Sequence, residues 1–244
     1  MNEQFLEYAE KGNVDGLKKL LKKGVNINVQ DVNGYTALML SSWNSNTTSN
    51  VKTVKFLIES GAKLDIRDED GFTALMYASM YSNTTSNVKT VKLLIKSGAN
   101  LDIQDEHYGI TALIVSSMHS NNTSNVETVK LLIEGGANLD IQEYYGNTAL
   151  IFSSVLSKTI SNLETVKLLI ESGANLEIQN NSGKTAIDIL QELYEDSVVS
   201  KLLKNVSNYS HKRVRVKRRS KGKHTKKRTP RQHKTKMRKT RKRK

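Results

Sequence analysis

The chain has 244 residues, 37% of them hydrophobic and 25% charged, with a single proline and no cysteine. That excludes a disulfide framework, a thiolate zinc module and a thiol enzyme, and it suits a reducing compartment. The formal charge of +14 is uneven: no acid follows Asp196, and Lys212 to Lys244 hold 20 of the 38 Lys and Arg, so the other 18 face 24 Asp and Glu and leave the preceding body at −6.

The first residues, MNEQFLEYAEKGNVDGL, carry acids where a secretion signal needs Lys or Arg, and they lack its apolar run. The protein is therefore expected to be intracellular and not secreted, and the Asn46-Thr-Thr and Asn83-Thr-Thr triplets are set aside as glycan acceptors. No stretch approaches the roughly 18 consecutive apolar residues of a membrane span, so no membrane partner is expected. One proline in so long a chain favours a helical body.

From residue 5 onward the sequence repeats itself. A degenerate copy, FLEYAEKGNVDGLKKLLKKGVNIN, is followed by GYTAL at 34–38, GFTAL at 71–75, GITAL at 109–113, GNTAL at 146–150 and GKTAI at 183–187. The steps are 37, 38, 37 and 37 residues, and the extra residue falls in DEHYG. In each unit the Thr is expected to cap a helix that begins at the following Ala. A second block, VKTVKLLIKSGANLDI and its kin, predicts another helix whose apolar face includes Val91, Leu94 and Ile95. Gly98 and its equivalents Gly24, Gly61, Gly136 and Gly173 are expected to end that helix in the left-handed region. Neither helix can bury its stripe alone, so neighbouring units must stack.

These in-phase copies of D-x-x-G-x-T-A-L, second helix and GANLD resemble the ankyrin repeat family over residues 4–206. The resemblance implies an all-α ankyrin-repeat solenoid, with helix-loop-helix units joined by hairpin-like turns. Ala and Met or Ile stand where that family usually has Pro and His, so the Thr–His bond that knits its repeats loses its usual partner. The units also exceed the family's usual ~33 residues. The surplus lies in SNTTSN at 45–50 and 82–87, SNNTSN at 120–125 and SKTISN at 157–162. Two readings stay open: a solvated spacer that also starts the second helix, or a ridge of hydroxyls and amides for a partner or kinase. As helix starts, Ser124-x-x-Glu127 and Ser161-x-x-Glu164 match capping boxes, while Lys52 and Lys89 leave the other copies half capped. Lengthened units with Ser/Asn-rich loops resemble the ankyrin proteins of giant amoeba-infecting DNA viruses.

Other motifs dissolve on inspection. SGKT at 182–185 has Ile178 where a P-loop needs Gly, and RDEDG has Ile66 at the first calcium-ligand place. The histidines show no ligand spacing, and no nucleophile–base or carboxylate pair survives comparison of the repeats. The sequence implies no enzyme, no cofactor and no metal.

The family resemblance places partner binding on a concave face made by turn tips and first helices. The variable positions there hold Tyr35, Trp43, Phe72, Met80, Tyr81, Tyr108, Ile110, Met118, His119 and Tyr145. Aromatic residues and Met on such a face suit interface anchors. Lengthened loops that fold back over the residues closing each first helix are the alternative, and His107 and His119 are expected as polar rim.

After Tyr209 there is neither an aromatic nor an apolar period. Such a segment is expected to be disordered, since it cannot bury enough surface to offset its ordering entropy. Lys217-Arg218-Arg219, Lys226-Lys227-Arg228, Arg238-Lys239 and Arg241-Lys242-Arg243-Lys244 are its candidate contacts to nucleic acid or to a nuclear import receptor. Folding back onto the acidic body is a third possibility. Without a stacking platform it should read no base sequence.

The expected organisation is a capping unit at 1–31, four lengthened repeats over 32–180, a second capping unit at 181–206 and a basic tail at 207–244. Its function is expected to be that of a monomeric protein-binding scaffold in the host cytoplasm or nucleus. The alternative is a nucleic-acid-packaging or virion-associated protein in which the tail is the functional part.

Overall fold

The computed structural model describes residues 1–159 and 163–204. The first 205 residues form one compact unit. Its described residues hold helices and turns with no named strand, the single isolated bridge joining Gln30 and Thr36. In chain order the helices are α1 (Asn2–Glu10), α2 (Val14–Lys22), α3 (Ala37–Trp43), α4 (Val51–Glu59), α5 (Ala74–Met80) and α6 (Val88–Lys96). They continue with α7 (Ala112–Met118), α8 (Val126–Glu134), α9 (Ala149–Val155), α10 (Leu163–Glu171), α11 (Ala186–Leu193) and α12 (Asp196–Leu202). This is the all-helical solenoid that the repeat implies. The expected tail and its disorder lie outside the described residues, as do Ser161 and Asn162.

Each first helix starts as expected. Thr36, Thr73, Thr111, Thr148 and Thr185 accept the backbone N–H three residues on at 3.2–3.3 Å, satisfying one of the otherwise unpaired donors at a helix start. Each second helix gives way to a glycine with φ of +87° to +92° at residues 24, 61, 98, 136 and 173, a conformation costly for a residue with a Cβ.

Core burial follows the two stripes. Leu38, Leu75, Leu113 and Leu150 of the first helices are about 1% exposed, and Val54, Val91, Val129 and Val166 of the second helices are fully buried. The helices α1, α3, α5, α7, α9 and α11 pack successively against one another, more closely than α4, α6, α8 and α10 do. Ala37, Ala74, Ala112, Ala149 and Ala186 of these helices are no more than 2% exposed.

The capping-box expectation is corrected at Ser124, and at Ser161 it lies outside the described residues. The N-caps of α2, α4, α6 and α8 are Asn13, Asn50, Asn87 and Asn125, whose side chains accept backbone N–H groups at 2.9–3.0 Å. Ser124 is one residue too early and is fully buried, bonded elsewhere. Asn125 makes the cap without Glu127, which is exposed, and Lys52 and Lys89 leave nothing half made.

The reading of SNTTSN as a solvated spacer holds for Asn46, Thr47, Thr48, Asn83 and Thr84, which are exposed, but not for its serines. Ser45 Oγ lies 3.3 Å from Ser86 Oγ of the next copy and accepts from Thr90 Oγ1 at 2.7 Å. Ser86 Oγ in turn donates to the Ser42 carbonyl at 2.7 Å. One unit further on, Ser82 and Ser124 repeat the pairing at 3.3 Å, and Thr128 Oγ1 donates to Ser82 at 2.6 Å. Thr165 Oγ1 donates to Ser120 at 2.7 Å. Backbone joins in, since the amides of Asn46 and Asn83 donate to the Thr85 and Thr123 carbonyls at 2.9 Å. The string is an inter-repeat ladder whose serines are nearly inaccessible. Each such bond contributes about 0.5–1.5 kcal/mol net, and leaving a buried partner unmatched costs about 1–3 kcal/mol.

Candidate functional site: the first-helix face and its cleft

The hairpin-like turns that border this face are organised by one carboxylate or amide each. Asp68 Oδ1 accepts the Asp70 and Phe72 amides at 3.1 and 2.8 Å. Asp105 does the same for a turn one residue longer, taking the amides of His107 and Tyr108 at 3.1 Å and that of Ile110 as well. The turns also stack by backbone: Glu69 N donates to Asn33 O, Glu106 N to Asp70 O and Tyr144 N to Tyr108 O. Gly71 shows why the tip needs glycine, because φ is +83° and a Cβ there would lie 2.6 Å from Glu106 N.

Two clusters gather most of the residues that the sequence singles out. In the first, Trp43 is stacked on Tyr77 and Tyr81, with ring centroids 5.0 and 5.5 Å apart. Tyr35 is 6.3 Å from Trp43 and 5.8 Å from Tyr77, and Phe72 is 5.4 Å from Tyr77. Trp43, Tyr35, Phe72 and Tyr81 are half-buried around Tyr77. Tyr77 itself is buried, and its hydroxyl donates to Asp68 Oδ2 at 2.6 Å. Burial, together with the bond to Asp68, pushes the Tyr77 phenol well above its ordinary value. Sequence reasoning missed Tyr77. The available signal was a hydroxylated aromatic at a position that holds Leu40, Val115, Phe152 and Ile189 in the other units.

The second cluster is a cleft of about 350 Å³ between the α5 and α7 units, lined by Phe72, Met80, Tyr108, Ile110, Met118 and His119 from the expected set. Val115 forms part of its wall, and Asp70, Asp105 and His107 stand at the turn side. The inserted residue of DEHYG matters here, because the longer turn carries His107 to Asp70, with Nε2 3.0 Å from Oδ1. Burial lowers the His119 imidazole below its ordinary value, and its Nδ1 is buried without a hydrogen-bond partner.

Tyr145 joins neither cluster. It is 63% exposed on the next turn tip, beside Tyr144 at 60%, and Tyr108 is 53% exposed. Of the residues that close the first helices, Trp43, Met80, Tyr81, Met118 and His119 are half-buried and Val155 is exposed. The basic candidates from Lys217 to Lys244 lie outside the described residues. Among the described residues no group of three or more His, Asp and Glu side chains is placed to hold a metal. None of the described helices is long and apolar enough to cross a membrane.

Comparison with known proteins agrees with this geometry. The family model for ankyrin repeats (three copies) matches residues 5–105 and 82–180. Among solved structures, EF0377, an ankyrin repeat protein, aligns with a TM-score of 0.70 at 26% identity, covering 84% of this chain and 98% of its own. A chain from the complex of the Bdellovibrio bacteriovorus predatory endopeptidase Bd0816 with immunity protein Bd3460 aligns at 27% identity and a TM-score of 0.66. That alignment covers 83% of this chain and 97% of the other. No curated protein sequence matches the chain.

Proposed function

The chain belongs to the ankyrin repeat family, whose repeats mediate protein–protein interaction, and from that premise we propose a non-enzymatic scaffold that binds a protein on its first-helix face. The observation that carries this reading is the concentration of half-exposed aromatic and apolar side chains on that face. The outer helices instead alternate Lys and Glu, as in the Lys55–Glu59, Lys130–Glu134 and Lys167–Glu171 pairs. An apolar cluster kept partly open to water is a contact surface. The related fold in the Bdellovibrio bacteriovorus complex, whose components are an endopeptidase and an immunity protein, supports protein binding as the mode.

The same reading divides the chain into capping units at 1–31 and 181–206, lengthened repeats between them and a basic tail from 207. The protein acts as a monomer in the host cytoplasm or nucleus, and the narrower likeness is to the ankyrin proteins of giant DNA viruses. The tail adds nucleic-acid association or nuclear import. Affinity capture by full-length protein tests the scaffold. Trp43→Ala, Phe72→Ala and Tyr81→Ala, each checked for retained helicity, should release a defined partner, and deletion of 207–244 should not.

A second reading is favoured by one feature, the 20 Lys and Arg of 212–244 without an acid. There the protein is a packaging or virion-associated nucleic-acid binder and the repeats are a handle. Engaging about 6–10 phosphates would make its affinity fall about 10³–10⁵-fold between 50 and 200 mM salt. If the body without its tail captures nothing and only the intact chain binds nucleic acid, this second reading replaces the first.

A further inference from the structure

We propose that the cleft between the α5 and α7 units receives one apolar side chain of a peptide that carries Lys or Arg beside it, with Asp70 as the partner of that cation. This deepens the scaffold reading and rests on it. The cleft's volume of about 350 Å³ lies at the small end of ligand pockets. It suits one large side chain, or two smaller ones, better than a folded surface.

Charge selects the neighbour of that side chain. Asp105 is buried and its carboxylate is occupied by the amides of its own turn, so it offers nothing to a ligand. Asp70 is different. Its side chain is 60% exposed and it is held on one side only, by His107. Glu106 of the next turn is paired with Arg67 at 3.5 Å and is not part of the cleft lining, which leaves Asp70 as the carboxylate open to a ligand. An acidic or phosphorylated peptide would meet that carboxylate, whereas a cationic one gains from it.

The test is a positional-scanning array of immobilised hexapeptides, neutral except at the scanned position, probed with full-length protein. The expected result is a requirement for one Leu, Met or Phe with Lys or Arg within two residues of it. Met118→Trp, which fills the hollow, should weaken the apolar preference about 30-fold or more. Asp70→Asn should keep that preference and reduce selection of the cation about threefold. A thermal melt of each variant confirms that it is folded. Selection of acidic residues, or preferences that neither variant alters, overturns the proposal. If Trp43→Ala abolishes binding while Met118→Trp does not, the cleft is not the receptor although the scaffold stands. Binding that no substitution on this face changes sinks both.

Discussion

Tyr77 shows how one side chain couples the aromatic cluster to a turn. Its hydroxyl satisfies the second oxygen of Asp68, whose first oxygen organises the Asp70–Phe72 tip. Tyr77→Phe removes a bond to a charged acceptor and leaves a buried carboxylate oxygen unmatched. It should lower the unfolding free energy by about 1–3 kcal/mol in urea titration. The raised phenol also makes stability pH-dependent at the alkaline end. Above the ordinary value of 10.0 the unfolded chain releases the Tyr77 proton while the folded one retains it, so stability falls as pH rises. Alkaline melts of Tyr77→Phe should show a shallower decline than those of the parent. His119 acts at the other end. The unfolded ring takes a proton near 6.5, while burial keeps the folded ring neutral to lower pH. Stability therefore falls as pH drops through 6.5 toward that lowered value. Replacing the ring by His119→Gln should flatten the melting temperature between pH 7 and 5.

At the scale of the element, the second helices and the loops before them separate two roles that the sequence runs together. Asn125 caps α8, whereas Ser124, its neighbour, serves the ladder to Ser82. Three substitutions distinguish the roles in the same denaturant assay. Asn125→Ala should cost about 0.5–2 kcal/mol as a lost cap. Ser82→Ala should cost about 1–3 kcal/mol, because buried Ser124 Oγ loses this partner and Thr128 Oγ1 keeps only its 3.3 Å contact to Asn125 Oδ1. Glu127→Ala should change stability by no more than about 0.5 kcal/mol, as a surface substitution does. A capping box would instead make it costly. The Thr caps of the first helices, in contrast, were readable directly, since Thr followed by Ala at the head of an apolar stripe has few other uses.

For the whole 1–205 unit, stability is a sum of unit terms and nearest-neighbour interfaces. The hydroxyl ladder belongs to the interface term. Combining Ser82→Ala with Thr128→Val loosens one central junction while leaving each helix its cap. Thermal unfolding followed by circular dichroism should then broaden or split into two transitions, whereas Asn125→Ala should shift a single one. The same additivity lets the first-helix face carry partly exposed aromatics, because the junctions are held by ladders and stacked turns on either side of it.

What the sequence settled on its own was the period, the pairing of helices within each unit and the left-handed glycines. Those features are local: a Thr cap, an apolar stripe and a C-terminal glycine each act within a few residues and recur at a fixed step. The partners of SNTTSN, the seat of Tyr77 and the cleft beside His119 were decided only by stacking. Each depends on atoms at least one repeat away along the chain: 41–46 residues in the hydroxyl ladder, 42 between Tyr77 and Tyr35, and 37 between Asp70 and His107. A polar string looks alike whether water or the next copy satisfies its hydroxyls, and only the approach of neighbouring units determines which.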